Sequence, residues 1–315
     1  MRTFLVTGGA GFIGSHIAAT LVERGGDRVR VLDNLSTGFE ANMAGFRDRI
    51  EFIKGDVTDA KIVARAVEGV DCVFHEAALA SVPASVERPL DSHAACATGV
   101  VTVLDAARRA GVRRVVYAAS SAAYGDQPTS SKRESDLPAP LSPYAAAKAA
   151  GELYCQAFWA TFGLETVAIR YFNVFGPRQD PNSQYSAVIP LFITAMLAGR
   201  QPVIYGDGWQ SRDFSFVANV VHANLLAADA PDVAGRTINA ADGRSIDLLR
   251  LMELLNRLLD TNVKPQFAPP RVGDVRESQA DITLARKLLG YEPQVDFADG
   301  LRRSIDYYRQ IAGKK

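Results

Sequence analysis

The sequence predicts an α/β fold, a doubly wound parallel sheet followed by a smaller C-terminal α/β lobe. Three observations predict it. Short apolar runs rich in β-branched residues alternate with longer stretches of helical apolar spacing through the first 170 residues. A glycine-dense turn separates the first such run from the first helical stretch. After Arg170 the alternation loosens and turn formers multiply. Regular strand-helix alternation implies right-handed crossovers and a parallel sheet covered on both faces.

Taken in order, residues 3–7, 28–32, 50–54, 72–75, 113–119 and 166–170 read as buried strands. Residues 12–24, 60–67, 94–110 and 143–162 carry helical apolar spacing between them. Gly176-Pro177-Arg178-Gln179-Asp180-Pro181-Asn182-Ser183 is a loop dense in turn formers. Beyond it helices are expected over 188–198, 217–229, 246–259 and 301–311, with short extended pieces between. The expected division is 1–170 for the sheet domain, with later returns from about 213–240, and 171–315 for the smaller lobe. That lobe is expected to dock at the carboxyl ends of the strands.

Composition narrows the function classes. With 315 residues, 48% of them hydrophobic types, a large core is within reach. Lys+Arg and Asp+Glu both number 35, so no net field favours nucleic acid or an anionic membrane. Cys72, Cys96 and Cys155 are odd in number and lack metal-ligand spacing. They imply reduced thiols, a cytoplasmic setting and no bound metal. The apolar run Phe4-Leu5-Val6 ends at once in glycines, unlike a signal peptide. No segment approaches the roughly 18 apolar residues of a membrane span.

The first motif is Gly8-Gly9-Ala10-Gly11-Phe12-Ile13-Gly14, between the first strand and the first helix. Glycines at 8, 11 and 14 permit a tight turn, close backbone approach to a pyrophosphate, and close helix-sheet packing. The helix N-terminus adds free N–H groups for the phosphates. Asp33 ends the second strand 19 residues after Gly14, near the ~20 expected of an acid that binds the adenosine ribose. Its charge repels a 2′-phosphate, so NAD is expected rather than NADP. The fold is therefore expected to be Rossmann-type. Asp56, after the third strand, either accepts from the adenine amine or caps the next helix. Phe12, Ile13, Asn34, Val57, Ala77 and Ala78 complete the candidate cofactor contacts in this half.

The second motif is Tyr144-Ala145-Ala146-Ala147-Lys148, which sets a phenol and an ammonium one helical turn apart. A free phenol is a poor base at neutral pH, and a neighbouring ammonium favours its ionised form. Ser142-Pro143 supplies a cap and a first-turn proline for that helix. Ser120, at the carboxyl end of the fifth strand, faces the same crevice and can relay or bond a substrate proton.

From residue 7 to residue 291 the chain resembles the extended short-chain dehydrogenases/reductases, and within them the UDP-hexose 4-epimerases. It resembles in particular the UDP-N-acetylglucosamine 4-epimerases of polysaccharide biosynthesis. The resemblance implies Ser120, Tyr144 and Lys148 as the catalytic group, with Tyr171 against the nicotinamide. It implies Asn173, Arg212, Arg271 and Asp274 on the sugar nucleotide, with Val188 and Ile189 packed on uracil. Ser81, Ser121 and Tyr205 complete the expected substrate contacts. Ser278 occupies the position where a small residue admits an N-acetyl group. Two stretches depart from the family pattern: Cys96-Ala97-Thr98-Gly99-Val100 replaces the usual asparagine-containing motif, and Ala80 stands where some relatives have lysine.

The implied reaction is reversible C4 epimerisation of a UDP-hexose through a 4-keto intermediate, with NAD retained. UDP-GlcNAc/UDP-GalNAc and UDP-Glc/UDP-Gal are the expected substrates, and a UDP-glucuronate 4-epimerase is the alternative. Ser121 and Ala122 stand where related dehydratases carry an acidic pair, so elimination lacks its acid and base. A non-catalytic nucleotide sensor on the same fold is the rival of a different class. The helices at 94–110 and 143–162 have apolar faces in excess of one core and suit a homodimer.

Overall fold

The computed structural model describes residues 1–129, 131–181, 187–270 and 275–313. The runs of the first half form strands β1 (Thr3–Thr7), β2 (Arg28–Asp33), β3 (Glu51–Lys54), β4 (Cys72–His75), β5 (Arg114–Ser120) and β6 (Ser131–Lys132). The helices among them are α1 (Phe12–Arg24), α2 (Ala60–Ala66), α3 (Val82–Glu87), α4 (Pro89–His93), α5 (Gly99–Arg109) and α6 (Pro143–Phe162). The second half supplies strands β7 (Glu165–Tyr171), β8 (Val174–Phe175), β9 (Val203–Tyr205), β10 (Ser211–Asp213) and β11 (Ser215–Phe216). It continues with β12 (Arg236–Ala240), β13 (Ser245–Asp247), β14 (Gln266–Ala268) and β15 (Glu277–Ala280). Its helices are α7 (Val188–Leu197), α8 (Val217–Asp229), α9 (Leu248–Leu259), α10 (Thr283–Leu289) and α11 (Phe297–Ala312).

Seven strands make one parallel sheet in the order β12-β7-β5-β4-β1-β2-β3. Residue alternation along β1 explains why it sits inside the sheet. Phe4 and Val6 point into a core with Ile17, Leu21 and Val220, from α1 and α8. Leu5 points the other way, into a core with Val63, Val103, Leu104 and Phe158, from α2, α5 and α6. Both faces are dry, as a parallel sheet requires. The chain leaves β1 towards β2 on one side and later lays β4 on its other side, so the strand order reverses there. A crevice opens at the carboxyl ends on either side of such a reversal.

The later elements make a four-stranded sheet, β13-β10-β15-β6, and two short pairs, β11-β8 and β14-β9. A third core joins α7, α9 and α11 through Phe192, Leu251, Leu255, Leu301 and Tyr308.

The helix expected over 94–110 is instead a π-helical turn at Ala94–Thr98 leading into α5. Two short helices precede it, each started by a proline in its first turn, Pro83 in α3 and Pro89 in α4. At six and five residues they are too short for apolar periodicity to register. The last helix begins four residues before the expected 301 because Asp296 caps it, its side chain accepting from the Asp299 N–H. Helix α10, of seven residues, is a further element that the sequence reading does not include.

Candidate active site

The crevice beside β1 is centred on a glycine turn. Gly8 takes the left-handed conformation (φ 68°), and a Cβ there would strike the Ala77 backbone across β4. A Cβ on Gly14 would run into the Gly8 carbonyl. The turn is closed by the Gly11 N–H on Gly8 O at 3.0 Å, and α1 is entered by the Ser15 N–H on Gly11 O at 3.2 Å. Bare backbone where side chains would otherwise stand is what a pyrophosphate needs, so the cradle fits a dinucleotide.

Every cofactor candidate lines this crevice of about 580 Å³: Gly8, Gly11, Phe12, Ile13, Gly14, Asp33, Asn34, Asp56, Val57, Ala77, Ala78, Tyr144, Lys148 and Tyr171. Asp33 has a further task that its spacing did not reveal. Its Oδ2 accepts from the Ala10 N–H at 2.9 Å and its Oδ1 from the Leu35 N–H at 2.7 Å, tying the glycine turn to the end of β2. Asp56 is not the cap of α2; Asp59 is, accepting from the Lys61 and Ile62 N–H groups. Burial raises the Asp56 carboxyl, but bonds from the Thr58 N–H, the Thr58 hydroxyl and Asn34 Nδ2 outweigh it and hold the group below its ordinary value.

Other walls carried no readable signal. Asn42 donates to Ala10 O at 2.9 Å, and Gly38 packs against Ala10 too closely for a Cβ. Arg178, in the left-handed region at φ 66°, donates to Ser15 O at 2.9 Å. Gly38 and Arg178 lie in irregular chain and Asn42 in a four-residue 3-10 helix, too short for period or motif to mark a site.

Ser142 caps α6, its Oγ accepting from the Ala145 N–H at 3.2 Å. Within the first turn Tyr144 faces the crevice, and one turn further on Lys148 is only 2% exposed. The Lys148 ammonium donates to Ala118 O on β5 at 2.6 Å. It stands 6.0 Å from the Tyr144 ring centroid and 5.0 Å from that of Tyr117. Gly151 lets the Tyr117 phenol reach α6, since a Cβ there would strike its hydroxyl. Ser120 ends β5, and its Oγ accepts from the Ala122 N–H at 3.2 Å, which leaves its own proton to donate.

Strand β7 is clamped to α6 by a buried pair, Arg170 forking onto Glu152 at 2.9 and 2.6 Å. The guanidinium also lies 4.3 Å from the Tyr124 ring centroid. Next along β7, the Tyr171 hydroxyl is 2.8 Å from Glu76 Oε1 and 3.0 Å from Asn224 Oδ1. Burial drives the Tyr171 phenol well above its ordinary value and pushes the Glu76 carboxyl up to about 7.

Two residues beyond Tyr171 a second cavity begins, of about 1080 Å³, whose walls bring together Asn173, Val188, Ile189, Tyr205 and Arg212. Asn173 sits at φ 33°, a conformation asparagine tolerates better than most residues, and its Nδ2 donates to Asp213 O at 3.2 Å. The first turn of α7 presents Val188 and Ile189. Arg212 donates to Ser211 O at 2.8 Å, and Ser278 is its register partner on β15, so both face one side of that sheet. Ser81 caps α3 by accepting from the Ala84 N–H, and Ser121 opens the short turn after β5; neither is a wall of either cavity. Arg271 and Asp274 lie outside the described residues. Among the described residues no cluster of three or more His, Cys, Asp or Glu could hold a metal, and no helix is long and apolar enough to cross a membrane. Cys72, Cys96 and Cys155 are buried free thiols.

Residues 4–241 match the model of the NAD dependent epimerase/dehydratase family. The UDP-glucose 4-epimerase of Mycolicibacterium smegmatis is 39% identical, over 98% of this chain and 99% of that protein. The solved UDP-N-acetylglucosamine 4-epimerase of Methanobrevibacter ruminantium, in complex with UDP-N-acetylmuramic acid, superposes with a TM-score of 0.94 at 40% identity, covering 98% of this chain and 99% of that one. The UDP-glucuronic acid 4-epimerase of Bacillus cereus, solved with NAD and a fluorinated UDP-glucuronic acid, gives 0.92 at 28% identity, covering 98% and 100%.

Proposed function

The chain belongs to the NAD dependent epimerase/dehydratase family, and from that premise we propose that it reversibly inverts C4 of a UDP-linked hexose. UDP-GlcNAc/UDP-GalNAc and UDP-Glc/UDP-Gal are the proposed substrates. The observation that carries this reading is the Tyr144-Lys148 turn of α6 set at the wall of a glycine-cradled crevice, with no carboxylate at Ser121 or Ala122 beyond Ser120.

The glycines at 8, 11 and 14 hold the dinucleotide pyrophosphate, and Asp33 its adenosine ribose, in this assignment. NAD, when bound, supplies the acceptor and later the donor of the C4 hydride. Tyr144 takes the O4 proton as the sugar is oxidised and returns one to O4 when the ketone is reduced. Lys148 lowers the cost of the phenolate between those events. Ser120 donates its hydroxyl proton to the reacting oxygen. Without a second acid or base the 4-keto sugar has no route to elimination and is reduced again.

Asn173, Val188, Ile189, Tyr205 and Arg212 hold the UDP portion, together with Arg271 and Asp274. Loose contacts on the sugar let the ketone present either face. Ser278, the register partner of Arg212, is assigned to an N-acetyl group on its small size. Ser81 and Ser121 are assigned to the sugar by the family resemblance alone. On this assignment residues 1–170, with returns at 213–240, bind the cofactor, and 171–315 mainly bind the sugar nucleotide. Three buried thiols and an NAD requirement suit the cytoplasm. Helix α6 exposes Leu153, Tyr154, Trp159 and Phe162, and Tyr154 lines a hollow edged also by Leu90 and by Val101 of α5. A second copy covers them in a homodimer. A monomer in light scattering at micromolar concentration refutes that assembly.

The reaction is tested by incubating the protein without added NAD with UDP-GlcNAc, UDP-Glc and UDP-glucuronate in turn, following C4 configuration by proton NMR. Turnover of the first two is expected; turnover of the uronate alone replaces the substrate assignment with the uronate epimerase. Tyr144→Phe is expected to reduce kcat by about 10²- to 10⁴-fold with the cofactor still bound. Unchanged turnover in that variant removes Tyr144 from the chemistry.

A further inference from the structure

Tyr171 owns one hydroxyl proton and stands between two oxygens, Glu76 Oε1 at 2.8 Å and Asn224 Oδ1 at 3.0 Å. The Asn224 amide has only one sensible orientation. Its Nδ2 donates to the Val220 carbonyl at 2.8 Å, an atom that can only accept, so Oδ1 must face the phenol. With Glu76 as a carboxylate, Tyr171 could satisfy one neighbour only, and the other contact would press two lone pairs together. With Glu76 protonated both contacts are hydrogen bonds: Glu76 donates to Tyr171, and Tyr171 donates to Asn224. Counting protons therefore decides the charge of the carboxyl. We propose that Glu76 is held as a neutral acid, a positioning residue whose proton sets the direction of a Glu76–Tyr171–Asn224 chain in the wall of the crevice that Tyr144 and Lys148 also line.

The surroundings favour that form. Burial raises the Glu76 carboxyl to about 7 against the opposing pull of the Tyr171 bond and of Lys148. Each packed element contributes a different neighbour. Lys148 on α6 is the cation that acts on it, and Tyr171 on β7 is its bonded partner. Asn224 on α8 is uncharged. His75, its chain neighbour on β4, is kept neutral by burial and by Lys148, far below its ordinary value. Tyr117 on β5 is a buried phenol held un-ionised. Elsewhere the crevice carries Asp33, Asp56, Arg88, Asp91, Arg178 and Asp180.

The consequence rests on the dinucleotide reading of this crevice. A carboxylate near the nicotinamide end would favour the positively charged oxidised ring over the neutral reduced one. A neutral acid leaves the two states closer in affinity, which suits a cycle that passes through both. When Glu76 ionises, Tyr171 turns its proton to the carboxylate and Asn224 Oδ1 loses its donor.

Two measurements test this. The first is infrared spectroscopy of protein labelled with carboxyl-¹³C glutamate. One pH unit below the Glu76 value, a protonated-carboxyl C=O band is expected in the parent and absent in Glu76→Gln, and it fades as pH rises past that value. Only carboxylate bands in the parent at the lower pH overturn the proposal, whatever the crevice binds. Should Glu76→Gln fail to fold, Tyr171→Phe removes the oxygen Glu76 donates to and is expected to shift the band; an unshifted band overturns the assignment. The second is the ratio of NAD to NADH affinity, read by tryptophan fluorescence. In the parent it is expected to rise roughly fivefold across the titration, and to stay flat in Glu76→Gln, which is neutral throughout. Equal pH dependence in both overturns the proposal. Failure to bind either nucleotide at any pH overturns the cofactor-tuning consequence along with the functional reading, and leaves the infrared result to decide the carboxyl's charge.

Discussion

The crevice beside β1 and the cavity beyond Asn173 are built by opposite means. In the crevice the glycine turn bares backbone at the end of β1, and several charged side chains are already bonded. Asp33 is bonded to Ala10 and Leu35, Asp56 to Thr58 and Asn34, and Lys148 to Ala118. The second cavity is walled by side chains, Val188, Ile189, Leu191 and Phe192 from one helix, with Tyr205 and Arg212 from short strands. Its strands are two or three residues long and joined by turns. A bare glycine turn and side chains already bonded cost little further ordering when a ligand arrives, whereas side chains on short elements can re-pack. On the proposed function the first suits a cofactor kept through every cycle and the second a sugar that must turn.

Three substitutions sharpen or break that contrast. The largest effect is expected from Gly14→Ala, because the added methyl meets a carbonyl of the same turn rather than a yielding side chain. NAD affinity should fall about 100-fold or more, roughly 3 kcal/mol, as measured by equilibrium titration. An affinity within twofold of the parent would mean that the crevice is no more rigid than the cavity.

Next, Ser278→Tyr should lower kcat/KM for UDP-GlcNAc by ~10- to 100-fold relative to UDP-Glc, since one group in a pocket discriminates by about 1–3 kcal/mol. Parallel losses on both substrates would place Ser278 outside the sugar pocket. The smallest effect is expected from Arg212→Ala, a rise in KM of about tenfold from one lost charge-assisted contact, with NAD affinity unchanged. A change in NAD affinity there would show that the two regions do not act separately.

The crevice was largely legible in the sequence and the cavity only in part. Gly8, Gly11 and Gly14 announce themselves by their spacing, a Cβ at 8 or 14 striking backbone and one at 11 crowding the Gly8 carbonyl, and Tyr144 and Lys148 lie at a fixed helical spacing. The second role of Asp33, on the Ala10 N–H, has no signature, since its partner is a backbone atom 23 residues away. The cavity residues come from separate short elements, and for Asn173 or Arg212 it was the resemblance that pointed to them rather than any period. Glu76 stood in view beside Ala77 and Ala78, yet nothing local marks it.

What the sequence determined by itself was the alternation of strands and helices, the glycine turn after β1 and the Tyr-Lys turn of α6. All of these follow from interactions within a few residues of chain, where periodicity, chirality and capping act. Only the tertiary structure decided that β12 closes the edge of the sheet, that Arg170 forks onto Glu152, and that Tyr171 stands between Glu76 and Asn224. Those pairings join residues from 18 to 95 positions apart. The burial that gives them their strength comes into being only when the sheet and its helices have closed over them.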